Sequence, residues 1–79
     1  MALINFENSN RVDKERNNIH REVKSSYTSF KDESGEKYFQ IDTYGSNNRK
    51  VHGKISQSFQ LDKKAAIELV NILKREFDI

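Results

Sequence analysis

The side chains of this chain that could do chemistry are its histidines, serines, acidic pairs and tyrosines. His20 and His52 cannot build the usual four-ligand zinc site, because the chain contains no cysteine. No serine lies in a Gly-x-Ser-x-Gly nucleophile elbow, and the three scattered glycines do not form a phosphate-binding loop. Neighbouring acids such as Asp32 and Glu33 fall in polar segments, where solvation is more common than paired acid and base catalysis. We therefore predict that the chain is not an enzyme and uses no metal and no cofactor.

The remaining chemistry is that of a surface that binds rings and phosphates. Residues 37–64 hold six Lys or Arg against two acids, a net charge of +4, whereas the whole chain carries +2. Single-stranded nucleic acid requires aromatic rings for base stacking and cations for phosphate contacts. The residues predicted to make these contacts are Lys24, Lys37, Tyr38, Tyr44, Arg49, Lys50 and Lys54, of which Lys24 is the weakest candidate.

Two other interpretations explain the same residues. Tyrosines are common strand formers, and scattered basic groups often serve only to keep a surface solvated. Tyrosine and arginine are also enriched at protein interfaces, so the same surface suits a protein partner or a second copy of the chain.

Alternating apolar and polar residues predict a mainly antiparallel sheet of three or four strands. Residues 19–30 form the first long strand, residues 36–44 the clearest one, and residues 51–61 the third. Gly35 lies in a polar turn between the first two, and an Asn- and Ser-rich loop from Gly45 separates the second from the third. Residues 2–6 favour a short strand. The polar residues 7–18 favour a loop or a flexible arm over a short solvated helix through residues 12–16.

The same alternation predicts which side chains point inward. Phe39 and Ile41 share one parity with Ile55 and Phe59 of the third strand, and we expect this apolar face to meet a helix. The opposite face then displays Tyr38, Gln40, Asp42 and Tyr44 beside Lys54, Ser56 and Ser58.

A C-terminal helix is predicted over residues 62–78. Asp62 is a suitable N-cap, and Lys74 and Arg75 in the last turn suit the helix dipole. The helical spacing of the apolar residues defines one face that should pack on the sheet. That face comprises Ala66, Leu69, Val70, Leu73 and Phe77, widened by Ala65 and Ile72.

Size and composition predict a single small domain whose hydrophobic core is too small to stabilise the monomer alone. Apolar residues make up 34% of the 79 residues, against about 45 to 50% in an average globular domain. No disulfide or zinc site can supply the missing stability, so we expect a homodimer, formed through the helix or through a sheet edge. No run approaches the roughly 18 apolar residues of a membrane span, and residues 1–6 do not resemble a secretion signal. A soluble, cytoplasmic protein without membrane contact is expected.

The motifs resemble a known family. Phe39-Gln40-Ile41-Asp42-Thr43-Tyr44, then Asn47-Asn48-Arg49-Lys50, then Gly53-Lys54-Ile55 and Leu61-Asp62 are similar in order and spacing to the positive-cofactor-four-like fold of single-stranded-DNA-binding transcription cofactors. The resemblance implies a curved antiparallel sheet, a homodimer formed largely through helices, and contacts to single-stranded DNA from aromatic and basic residues on the strands.

A second resemblance covers part of the same region. Residues 38–45 and 53–58 are similar to small bacterial and phage proteins that are often labelled methionyl-tRNA formyltransferase. Formyl transfer needs sites for a folate carrier and an aminoacyl-tRNA end, and 79 residues leave no room for both. The leading prediction is therefore a non-enzymatic single-stranded-DNA-binding protein of the transcription-cofactor type. The alternative is a small phage or mobile-element module that binds and inhibits a host or defence protein.

Overall fold

One four-stranded sheet is followed by one helix in the computed structural model, which describes residues 1–45 and 54–79. The strands are β1 (Ala2–Leu3), β2 (Ser25–Lys31), β3 (Lys37–Tyr44) and β4 (Ile55–Asp62), and the helix is α1 (Lys63–Phe77). The strand order is β1-β4-β3-β2. The predicted α+β class and the single C-terminal helix are confirmed.

The first strand corrects the expectation of an antiparallel sheet, because β1 pairs with β4 in parallel and the sheet is mixed. Ala2 lies opposite Phe59, and the Ile4 N–H donates to the Gln60 carbonyl at 3.0 Å. A parallel pair needs a long crossover connection, and residues 4–54, which include β2 and β3, separate β1 from β4 along the chain. A strand of two residues has no alternation from which its direction can be predicted.

The β2–β3 turn is organised by Asp32. Its Oδ1 accepts hydrogen bonds from the Ser34 N–H at 2.9 Å, the Ser34 hydroxyl at 2.7 Å and the Glu36 N–H at 3.0 Å. Gly35 adopts a φ of 90°, a conformation that glycine reaches without a steric penalty. The hydrogen bonds, above all that from the Ser34 hydroxyl, lower the pKa of Asp32. The predicted polar turn is present at the predicted glycine.

Two predicted strand boundaries differ from the structure. Strand β2 begins at Ser25 and not at residue 19, and residues 4–24 contain neither helix nor strand. The alternative of a short helix through residues 12–16 is thus absent from the structure. Strand β4 begins at Ile55, and the predicted start at residue 51 lies outside the described residues.

The bounds of α1 follow its capping residues. The Asp62 carboxylate accepts a hydrogen bond from the Ala65 N–H at 2.8 Å, which satisfies one of the free donors of the first turn. At the other end Asp78 adopts a left-handed conformation, and the Ile79 N–H donates to the Lys74 carbonyl at 3.2 Å. Both ends agree with the prediction to within one residue.

The packing of α1 corrects a second expectation. Within the described residues the helix contacts the sheet mainly at β4, and its far end is tied to the N-terminal arm by the Arg11–Glu76 ion pair, 3.3 Å long. It does not cover the face that carries Phe39 and Ile41, both of which remain half-exposed. β4 runs directly into α1 at Asp62 with no loop between them, and this short connection keeps the helix beside β4.

Little apolar surface is buried as a result. Among the described residues, the buried hydrophobic side chains are Leu61 and Ala65, at 5% and 4% exposure. On the predicted helix stripe, Val70 and Phe77 are 50% and 69% exposed. The radius of gyration is 15.1 Å, against about 12 Å for a compact chain of this length. In the part of the chain that the structure describes, no helix is long and apolar enough to cross a membrane.

Candidate nucleic-acid interface

The strand registers sort the side chains onto two faces of the sheet, because directly paired residues share a face and neighbours along a strand alternate. The even face carries Ser26, Thr28 and Phe30 of β2, Tyr38, Gln40, Asp42 and Tyr44 of β3, and Ser58, Gln60 and Asp62 of β4. The odd face carries Tyr27 and Lys31 of β2, Lys37, Phe39 and Ile41 of β3, and Phe59 and Leu61 of β4.

A row of polar side chains crosses the middle of the even face. The Gln60 Nε2 donates to the Gln40 Oε1, and the Gln40 Nε2 donates to the Asp42 Oδ1, both at 2.8 Å. A carboxylate only accepts hydrogen bonds, so Asp42 determines the orientation of the Gln40 amide and through it that of Gln60. Asp42 is 8% exposed, which places a negative charge beneath the centre of this face.

At one end of the even face lies a tyrosine that a polar neighbour holds in place. The Tyr44 and Ser26 hydroxyl oxygens are 2.7 Å apart, and the Tyr44 N–H donates to the Lys24 carbonyl at 3.1 Å. The ring is half-buried, and Lys24 is exposed. We call this region, with Lys24, Ser26 and Tyr44, the Tyr44 end. It offers a supported ring beside a cation.

At the opposite end the tyrosine has acidic surroundings. Tyr38 stacks on Phe30, with ring centroids 5.7 Å apart and planes 25° from parallel. Partial burial, followed by the negative charges of Asp32, Glu36 and Asp62, raises the pKa of Tyr38. We call this region, with these five residues, the Tyr38 end. Its charges repel phosphate, and its ring is already stacked on Phe30.

Lys37 lies on the other side of the sheet from Tyr38. Register places it directly opposite Lys31 on the odd face, where Tyr27 and Phe39 form a second aromatic pair with centroids 5.6 Å apart. Tyr27 is 76% exposed. The sequence prediction did not include Lys31 or Tyr27.

A β-bulge separates Lys54 from the predicted cluster. Thr43 pairs with Gln57 but Tyr44 pairs with Ile55, so one extra residue lies in β4 at this point. Ile55 therefore shares the even face with Tyr44 and is 40% exposed, contrary to its predicted inward position. Lys54 precedes Ile55 by one residue, and strand alternation directs it to the opposite face.

The other two predicted cations, Arg49 and Lys50, lie outside the described residues. The chain leaves the Tyr44 end at Gly45 and re-enters at Lys54, so both belong to the segment that joins these two positions. Of the seven predicted residues, the structure thus brings Lys24 and Tyr44 together, and it places Tyr38 on the same face but at the opposite end.

Neither a metal site nor a similar protein supplements the description of this surface. Within residues 1–45 and 54–79, no three His, Cys, Asp or Glu side chains form a group that could hold a metal ion. No family model, curated protein or solved structure matches the chain. The resemblance to single-stranded-DNA-binding cofactors stays a prediction from short motifs.

Proposed function

We propose that this chain is a non-enzymatic protein that binds single-stranded DNA as a homodimer, in the manner of a transcription cofactor. The observation that carries the proposal is the Tyr44 end, where a half-buried ring held by Ser26 lies beside the exposed Lys24. Stacking of a base on an aromatic ring is tolerant of sequence, because every base has a flat face.

The charge distribution suggests how a strand would lie. The buried Asp42 lies opposite Ser26 and two residues before Tyr44 on the same face, so a phosphate is expected to approach the Tyr44 ring from the side of Lys24. Of the predicted cations that the structure describes, Lys24 is bonded through its carbonyl to Tyr44, whereas Lys54 is directed to the opposite face. In the proposed complex the base stacks on Tyr44, and a phosphate contacts Lys24.

The surface of the monomer supports the homodimer. Its accessible area is 7570 Å², whereas a compact monomer of 9.3 kDa exposes about 5000 Å². The difference is of the size that one subunit buries in an obligate dimer, roughly 1000 to 2500 Å². The exposed apolar residues of α1, including Ile67, Val70 and Phe77, are suited to the contact. We propose that a second copy covers this side of the helix.

Binding is tested by fluorescence anisotropy with labelled single strands and with duplexes of the same sequence, at low and near-physiological salt. We expect the single strand to bind more tightly and the affinity to fall with salt, with a slope of about 0.7 per neutralised phosphate. Tyr44→Ala should weaken binding, while the matched Tyr27→Ala, on the odd face, should not. Absence of binding even at low salt would refute the proposal.

A second candidate is favoured by the exposed apolar side chains, among them Tyr27, Ile19 and Phe77. It is a phage or mobile-element module that binds and inhibits a host or defence protein. An interface of this kind responds weakly to salt, in contrast to phosphate contacts. A stoichiometric protein partner that is retained after nuclease treatment, together with no affinity for single strands, would favour it.

A further inference from the structure

The outer edge of β2 has backbone groups that no described strand uses. Strand β2 is the last strand on its side of the sheet. The Tyr44 N–H donates to the Lys24 carbonyl, and the Asp32 N–H donates to the Glu36 carbonyl, so the even-numbered residues of β2 bond to β3. The N–H and C=O groups of the odd-numbered residues therefore point away from the sheet. These residues are Ser25, Tyr27, Ser29 and Lys31.

This edge lacks the features that usually prevent strand pairing. All seven residues of β2 are exposed, and the strand contains no proline. Within the described residues, the bulge of the sheet lies between β3 and β4, and the β2–β3 register is regular. The only charged residue of β2 is Lys31, at the very end. Bulges, prolines and central charges are the common means of blocking an edge, and without them the edge is open to another strand.

We propose that β2 pairs with β2 of a second copy, antiparallel and centred on Thr28, so that two sheets join into one. In this register Tyr27 of each chain forms a hydrogen-bonded pair with Ser29 of the other chain, because both residues point outward from the sheet edge. Thr28 lies opposite its own copy on the two-fold axis.

Charge complementarity selects both the second copy and this register. Lys24 lies opposite Asp32 of the other chain, and the two-fold axis produces this pair twice. Moving the centre to Tyr27 places Asp32 opposite Glu22, which is repulsive, and moving it to Ser29 leaves Lys24 opposite Ser34. The hydrogen bonds that lower the pKa of Asp32 keep its carboxylate ionised for this pairing.

The edge contact differs from the helix contact of the proposed dimer. Strand β2 lies at the side of the sheet farthest from β4, along which α1 packs. Both contacts can therefore form at once, and two different two-fold contacts link dimers into larger assemblies. The inference does not depend on DNA binding.

Cysteine cross-linking tests the register, because the chain has no cysteine of its own. Opposed residues of a non-hydrogen-bonded pair lie about 4.5 Å apart at Cα, within disulfide range. We expect Thr28→Cys to form a covalent dimer on mild oxidation roughly ten times faster than Ser26→Cys or Phe30→Cys alone, because only position 28 meets itself. A mixture of Ser26→Cys and Phe30→Cys should cross-link to each other. Equal rates for the three single variants would overturn the proposal.

Ser29→Pro provides a second measurement on the chain without cysteine. Proline at this position removes an outward-pointing N–H and spares the bonds to β3, so the fold should persist, as circular dichroism would show. In sedimentation equilibrium, we expect the wild-type mass to rise with concentration beyond twice 9.3 kDa, and Ser29→Pro to remain at the dimer. Ser29→Ala, which keeps the N–H, is the matched control. Identical masses for Ser29→Pro and wild type would contradict the edge contact.

Discussion

The two ends of the even face carry the same side chain in different surroundings. Tyr44 is held by the Ser26 hydroxyl, and its N–H donates to the Lys24 carbonyl. Tyr38 is stacked on Phe30, and partial burial together with nearby acids raises its pKa. Both rings are half-buried, so burial alone does not distinguish them.

The difference arises from the connections at the two ends of β3. The tight β2–β3 turn places Asp32 and Glu36 beside Tyr38. Asp62, the N-cap of α1, lies at the end of β4 directly opposite Tyr38. At the other end of β3, the Tyr44 N–H is bonded to the Lys24 carbonyl, which brings a basic residue next to Tyr44. A regular spacing of tyrosines along a strand is therefore not sufficient to define a binding surface, because the adjoining segments decide which ring is available to an anionic ligand.

The largest expected effect is the difference between two alanine variants. Tyr44→Ala should weaken single-stranded-DNA binding by about 10- to 100-fold, since stacking of one base is worth about 1 to 3 kcal/mol. Tyr38→Ala should change the affinity by less than about threefold, because its ring stacks on Phe30 among acids that repel phosphate. Anisotropy titrations at one fixed salt concentration would measure both. Equal losses would show that the two ends do not differ in function.

A charge reversal at the Tyr38 end should make the two tyrosines more alike in their contribution to single-stranded-DNA binding. Glu36→Lys removes one of the acids near Tyr38 and adds a cation, so we expect affinity for single strands to rise about three- to tenfold. Tyr38→Ala should then become harmful in the Glu36→Lys background. Glu68→Lys on α1 changes the net charge by the same amount and is the control. A gain as large from Glu68→Lys would mean that only total charge matters.

The effect of the surroundings on the pKa of Tyr38 can be measured without DNA. The chain has three tyrosines and no tryptophan, so ultraviolet absorbance follows phenol ionisation directly. We expect one tyrosine to ionise above the ordinary pKa of 10.0, and Tyr38→Phe to remove that transition. Asp32→Asn should lower the pKa of Tyr38, because it removes a negative charge. An unchanged highest transition in Tyr38→Phe would assign it to another ring.

The smallest effect is expected on stability in acid. Hydrogen bonds hold the pKa of Asp32 below its ordinary value of 3.8. The ionised carboxylate therefore stabilises the fold fully above about pH 3.8, and this contribution is lost as the pH falls through the lower folded-state pKa. Asn keeps the Oδ1 acceptor but does not titrate, so Asp32→Asn should reduce the difference in urea midpoint between neutral and acidic pH. An identical pH dependence in the two proteins would argue against this role.

Local patterns were sufficient for several elements. Asp62 and the last-turn Lys74 predicted the ends of α1 to within one residue. The alternation of residues 36–44 predicted β3, whose observed bounds are Lys37–Tyr44. Gly35 predicted the turn that Asp32 completes. These features depend on side chains that act within a few residues of the backbone they satisfy.

The arrangement of the site depended on contacts between distant residues. The bulge opposite Tyr44 moved Ile55 onto the even face and Lys54 away from it. The β2–β3 register placed Lys37 opposite Lys31, on the reverse side of the sheet from Tyr38. Alternation within one strand carries no information about a residue added in its neighbour, so the displacement of Ile55 and Lys54 was not predictable. The alternation of β3 itself already places Lys37 and Tyr38 on opposite faces.

The sequence by itself determined the strand and helix types, the caps, the polar turn and the shortage of apolar residues, because each depends on local propensity or on composition. Only the tertiary structure decided that β1 joins β4 in parallel, that α1 follows β4 and leaves Phe39 half-exposed, and that Tyr44 and Tyr38 differ in their surroundings. Strand order, register and helix placement arise from the competition among many weak long-range contacts, and in this chain few apolar residues are present to favour one arrangement from the pattern alone.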